Sequence, residues 1–250
     1  MEKPNLFGLG SAVVIGLAVV LAMSSLSGAI VRARGGQEVI RVTGSARKDI
    51  NSDFIIWNGQ VAVRAETVGA AYEAVKKSTK QVQEYLTKKG IKPEEVATQA
   101  ITTAPVYATV KTSIGNGQTN EVQKIVAYEL SQTLEVQSSN VDLLDKVSRE
   151  VTDLIASGVN FVSNPPQFIY TKISEEKVAI LGDAAKDARQ RAETIAKSAG
   201  ASLGEVRSAR MSPLQITPKY SNTVSYDGEN DRTSREKAIT AIVSLEFSVR

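Results

Sequence analysis

The sequence predicts an α+β fold: antiparallel sheets with helices packed on one face, preceded by a membrane-spanning helix. Three observations carry this expectation. Residues 6–31 contain no charged side chain. Beyond them, stretches with a two-residue apolar period arrive mostly in pairs, separated by stretches with a helical period. Finally, the chain has neither a strand–GxGxxG–helix unit nor GxxxxGK(S/T), so dinucleotide-binding and P-loop architectures do not fit.

Taken in order, residues 1–5 form a short flank, and Leu6 to Val31 is an uncharged run of 26 residues. A bilayer core of about 30 Å needs roughly 20 apolar residues in a helix. Two readings stand. One is a retained transmembrane helix. The other is a signal peptide, with Lys3 as its charged end and Ser27-Gly28-Ala29 as a cleavage site. The apolar run to Met23 exceeds the usual signal core, which favours the anchor. Gly8, Ala12 and Gly16 lie four apart, a face that lets membrane helices approach closely. Residues 32–37 form a linker, and residues 38–250 form the α+β domain.

Glu38 to Ala46 alternates as a strand, and so does Asp53 to Ala65. Gly59 within the second indicates a bulge or a close backbone approach. Ala71, Val75, Ser78, Val82 and Leu86 then step at helical spacing, closed by Gly90 and Pro93. Thr98 to Thr112 is a strand interrupted by Pro105, hence an edge or bulged strand. Gly115-Asn116-Gly117 marks a turn. Val122 to Val136 keeps one apolar parity, as a half-buried strand does. Asn140 caps a helix carrying Val141, Leu144, Val147, Val151, Leu154 and Ile155, stopped by Gly158.

Gln167 to Ile173 is a short strand, and Ser174 opens a long helix to about Ala199. Its seam is Leu181, Ala185, Ala188, Ala192, Ile195 and Ala199. Mostly alanine, this seam suits a helix lying flat on a sheet or meeting another subunit. Glu205 to Thr217 is a strand containing Pro213. Pro218 to Glu236 is polar and reads as a mobile loop. The last strand runs from Ile239 to Val249. The resulting order is β-β-α-β-β-α-β-α-β-β.

Composition narrows the chemistry. The chain has 250 residues and no cysteine or histidine. Disulfides, thiolate metal sites, Cys nucleophiles and a lipoprotein anchor are excluded, together with His-based triads and His-ligated zinc. The formal charge is +3. Arg32 and Arg34 supply two of these charges and Glu2 offsets Lys3, which leaves about +1 for residues 35–250. That is no footprint for nucleic acid. Asp227, Glu229 and Asp231 alternate in the polar loop. They lack the glycine and closing glutamate of a calcium loop, so a solvated acidic loop is expected rather than a metal site. Trp57 alternates with core positions and is expected in the core. Ion pairs account for the charges at Asp183, Asp187 and Glu193. No cofactor and no small-molecule substrate are inferred.

Three stretches give this chain a resemblance. They are Ile40-Arg-Val-Thr-Gly44-Ser; the Gly90-Ile91 turn with Thr98 and Pro105-Val-Tyr107; and Ala184-Ala-Lys-Asp187-Ala188-Arg189-Gln-Arg191-Ala192-Glu193, continuing to Ala199-Gly200 and Leu203-Gly204-Glu205-Val206. With these the chain resembles the SIMPL domain family of bacterial envelope proteins, over about residues 38–250. One departure is visible: Ala127-Tyr128 stands where the family usually has Gly-Tyr, a position that bears on local bulge geometry. The resemblance implies an exported protein with no established active site, ring-like homo-oligomers and a link to stress tolerance.

The expectation is therefore a non-enzymatic envelope protein, anchored in the inner membrane through residues 6–31 and partnered with itself. Arg32, Arg34 and Arg41 would place the domain in the cytoplasm by the positive-inside rule. The resemblance places it on the periplasmic side, and that placement is adopted. The alternatives are a hydrolase using a Ser-Lys pair, or a module binding a small ligand.

Overall fold

The structure is a computed structural model that describes residues 38–113, 119–223 and 225–250. The expected membrane helix, with Gly8, Ala12 and Gly16, lies outside the described residues. Among the described residues no helix is long and apolar enough to cross a membrane.

The fold is α+β, as expected, with eleven strands and three α-helices among the described residues. The strands are β1 (Val39–Asn51), β2 (Phe54–Ala65), β3 (Val96–Thr98), β4 (Thr102–Ser113), β5 (Thr119–Ser138), β6 (Phe161–Ser163), β7 (Gln167–Ile169), β8 (Leu203–Met211), β9 (Gln215–Pro218), β10 (Glu229–Asn230) and β11 (Glu236–Val249). The helices are α1 (Val68–Lys88), α2 (Val141–Glu150) and α3 (Ile173–Ser198). One sheet has the order β1-β11-β9-β10, with β8 also on β11. The other has the order β3-β5-β2-β6, with β4 also on β5 and β7 also on β2. The expectation of purely antiparallel sheets needs one correction. β10 joins β9 in parallel, because the long loop returns along that strand before β11.

The chain divides into two compact units. Residues 45–184 and 211–243 make the larger. Its core lies between one face of the β2–β5 pair and the helices α1 and α2. Ile55, Trp57 and Val61 alternate on β2, and Leu130, Leu134 and Val136 on β5. Ala71, Val75, Val82 and Leu86 of α1 meet them, with Val141, Leu144 and Val147 of α2. Thr79 replaces the expected Ser78 in this stripe. It is buried because its hydroxyl donates to the Gln132 side chain at 2.9 Å. Thr67 and Asn140 cap the two helices by accepting from Ala70 N–H and Leu143 N–H, and each cap satisfies a donor that the first turn leaves free.

Gly59 takes the second of its two expected roles. The β2–β5 register runs through it unbroken. A Cβ at this position would fall 2.1 Å from Cζ of Phe161. The missing side chain thus admits the Phe161 ring, which packs beside Trp57 at 5.8 Å between centroids. The Trp57 indole N–H donates to Ser163 Oγ at 3.0 Å, and that hydroxyl donates to the Ser148 carbonyl.

Proline positions two boundaries. β4 slips register just after Pro105, between Val106 and Tyr107, leaving Val126 of β5 as the extra residue. The strand expected from Glu205 to Thr217 is in fact two, β8 and β9, with Pro213 in the gap. The helix expected from Val141 to Gly158 tightens into a 3-10 turn from Val151 to Ser157. Gly158 ends it at φ 86°, a conformation that favours glycine.

The smaller unit comprises residues 38–44, 185–210 and 244–250 among the described ones. Ala188, Ala192 and Ala196 are buried here with Val42, Leu245 and Phe247. Alanine lets a helix lie close to a sheet. Gly204 is a second close approach: a Cβ there would fall 2.3 Å from Ser248 Oγ, which accepts from Glu205 N–H. Arg41 and Glu246 pair at 2.8 Å on the exposed face.

Candidate functional site

Two features of the larger unit are not accounted for by folding. The first is the outer half of the β4–β5 hairpin. Pairing of β5 with β2 stops at Tyr128, opposite Ala65. From Ala127 back to Thr119, β5 pairs with β4 alone among the described strands. Residues opposite each other on this ribbon share a face. Tyr107 faces Ile125 on one side, and Val110 faces Val122 on the other. Tyr107 is 56% exposed and Ile125 48%. Val110, Val122 and Val126 are exposed as well. Apolar side chains thus meet solvent on both faces. A two-stranded ribbon is marginal in water without a third layer. The outer edge of β4 also carries no neighbouring strand among those described. Lys111 and Glu121 pair at 3.7 Å further along the ribbon.

The second feature is Lys237 on β11, which is 2% exposed. Its ammonium donates to the Phe168 carbonyl at 2.6 Å and to the Asp231 carbonyl. Burial pulls its pKa below the ordinary lysine value, opposed by the Asp231 charge and reinforced by that of Arg232. For the Asp231 carboxylate, burial acts upward but is outweighed by hydrogen bonds from Thr233 and Ser234 and by attraction to Lys237. Its pKa therefore lies below the usual carboxylate value. Gln215, also buried, clasps Ser225 by donating to its carbonyl and accepting from its N–H. The Arg232 carbonyl lies beside β7, where it accepts from Phe168 N–H at 2.8 Å. The segment that reads as a mobile loop is therefore tied at several points. The ties are a buried glutamine, a buried lysine and the short strand β10.

Of the residues singled out in the helix seam, Ala188 and Ala192 are buried, and Leu181 and Ala185 are half-buried. Ile195 and Ala199 are exposed. The stripe that is fully covered is Ile180, Ala184, Ala188, Ala192 and Ala196. Asp231 uses its carboxylate to cap the turn at Thr233 and Ser234. Among the described residues, no cluster of three or more acidic side chains is placed to hold a metal. Arg189–Glu193 and Arg191–Asp187 form ion pairs along α3, both at 2.9 Å. Sequence reasoning missed Lys237 and Gln215. The one available signal was that each sits within a strand at an inward position, where a long polar residue breaks the apolar pattern.

The SIMPL family model, described as "Protein of unknown function (DUF541)", matches residues 40–247. The chain belongs to this family. No curated protein matches the chain.

Proposed function

We propose that this SIMPL-family chain is a non-enzymatic envelope protein that assembles with copies of itself into a closed, ring- or barrel-like homo-oligomer. In this reading residues 6–31 anchor it in the inner membrane, residues 38–250 stand on the periplasmic side, and the assembly serves envelope or stress tolerance.

The observation that carries the proposal is the ribbon of β4 and β5, apolar on both faces and open at one edge. Exposed apolar area of this kind marks an interaction surface. A strand edge adds directional hydrogen bonding to it. The occupant we infer is a second copy. The ribbon carries charge of both signs, Lys111 and Lys124 with Glu121, so like ribbons do not repel as single-sign surfaces would. A ribbon that docks on a different face of its neighbour makes a heterologous contact, and such contacts form a ring when the rotation between neighbours closes. The near-neutral charge of residues 35–250 removes long-range repulsion between many copies.

Mass photometry of the purified full chain tests the assembly. A mass of several subunits is expected, and a monodisperse monomer at every concentration contradicts it. Intact-mass analysis of membrane-extracted protein tests the anchor, and loss of residues 1–29 contradicts it. Protease treatment of spheroplasts tests the side, and full protection of residues 46–250 places them in the cytoplasm instead.

A further inference from the structure

The buried lysine has a cavity beside it. The space is about 300 Å³ and lies within the larger unit, enclosed by β7, the start of α3, β9 and the loop around β10. Phe168, Ile173 and Ile216 form apolar walls, and Asn230, Arg232 and Lys237 form a polar end. This is the lower limit of the volumes that hold small organic ligands.

The polar end carries two cationic side chains, Lys237 and Arg232, beside the Asn230 amide. An ammonium has three N–H bonds. Two of those on Lys237 go to the Phe168 and Asp231 carbonyls. Both acceptors are neutral, and no ion pair among the described residues includes Lys237 or Arg232. The carboxylates nearby are already engaged. Asp231 accepts from Thr233 and Ser234. Asp53 accepts from the N–H and hydroxyl of Thr171, at 2.7 and 2.8 Å. Glu176 pairs with Lys48 at 2.6 Å. Removing a charge from water without a counter-charge in contact is costly. The polar end thus combines a buried cation with no carboxylate hydrogen-bonded to it, the Asn230 amide and the exposed Arg232.

The geometry points to a binding site for a small monocarboxylate with a compact apolar body, its carboxylate held by Lys237 and Arg232 and its body lying against Phe168, Ile173 and Ile216. A neutral polar ligand would satisfy the hydrogen bonds and leave the charge unmatched. A dicarboxylate would carry its second charge into the apolar walls. The site is separate from the ribbon and does not depend on the proposed assembly.

Isothermal titration of the full chain with phenylacetate, and separately with hexanoate, tests the assignment. Saturable binding at one site per chain is expected, with phenylacetamide at least about tenfold weaker because the amide lacks the charge. Arg232→Glu lies at an exposed position. It should weaken phenylacetate binding by about tenfold or more without lowering the thermal midpoint, because it removes a like charge near Lys237. Lys237→Met should abolish binding. If that variant does not fold, Arg232→Glu and the amide comparison still decide. Three results would overturn the site: no saturation by either carboxylate up to about 10 mM, a range that covers even weak complexes; equal binding of phenylacetamide; or undiminished binding by Arg232→Glu.

Discussion

The two halves of β5 both carry apolar side chains and have opposite surroundings. In the inner half Leu130, Leu134 and Val136 lie buried beneath α1 and α2, and β2 and β4 or β3 flank the strand. In the outer half Val122, Ile125 and Val126 are exposed, and only β4 accompanies the strand. The change in cover is not set by the apolar side chains alone. It comes from where β2 ends, at Ala65, and from the bulge at Val126 beside it. The lesson is that alternation states that a face wants cover but does not say what supplies it. Inside the subunit the helices do. In the proposed assembly a second subunit does.

Substitutions should separate the two halves. The largest effect belongs to the inner half. Trp57→Ala should cost about 3–5 kcal/mol by opening a cavity in the core and removing the indole donor to Ser163 Oγ. Urea unfolding with an unchanged slope checks it. Gly59→Ala adds a single methyl where Phe161 already sits, and Phe161 is held by Trp57. Overpacking of this kind should cost about 1–3 kcal/mol, and Phe161→Leu should recover part of it. Asn140→Ala removes the cap of α2 and should cost about 1 kcal/mol. In the outer half, Tyr107→Ser with Ile125→Ser should change the stability of the isolated subunit by no more than about 0.5 kcal/mol. The same pair should reduce the assembled mass to that of one subunit. A large loss of subunit stability in this variant would show that the ribbon belongs to the folding core.

Much of the inner half was legible in the sequence. The core parity of β2 and β5 rests on alternation, and the caps at Asn140 and Gly158 on one residue each, while Gly59 and Pro105 each narrowed the local geometry to two alternatives. The break at Pro213 was readable as a proline and was nevertheless joined across, because both flanks alternate. The burial stripe of α3 was legible only in part. Alanines occupy neighbouring positions along it, so Ala184 and Ala185, or Ala196 and Ala199, are alike in composition. Only the strands beneath decide between them. Lys237 and Gln215 were hidden for another reason. Their burial depends on carbonyl oxygens at Phe168, Asp231 and Ser225, which are brought into place by folding.

The loop held by these residues gives the smallest predicted effect. The folded-state pKa of Asp231 lies below its unfolded value. Its stabilising contribution is therefore present above the ordinary carboxylate range and is lost as pH falls through the lower, folded value. Cleavage by pepsin within residues 219–236 should accordingly accelerate at the acid end, and Asp231→Asn should remove that acid sensitivity. An unchanged pH dependence in Asp231→Asn would show that another group holds the loop.

The comparison within β5 is tested most directly by amide hydrogen exchange followed against protein concentration. Residues 120–125, the bulged Val126 and the partner residues 107–112 should exchange fast in dilute solution and slow as the concentration rises, while residues 128–138 remain protected throughout. Exchange at residues 107–112 and 120–126 that is independent of concentration, alongside the same protected inner half, would contradict the assignment of the ribbon as the surface on which subunits meet.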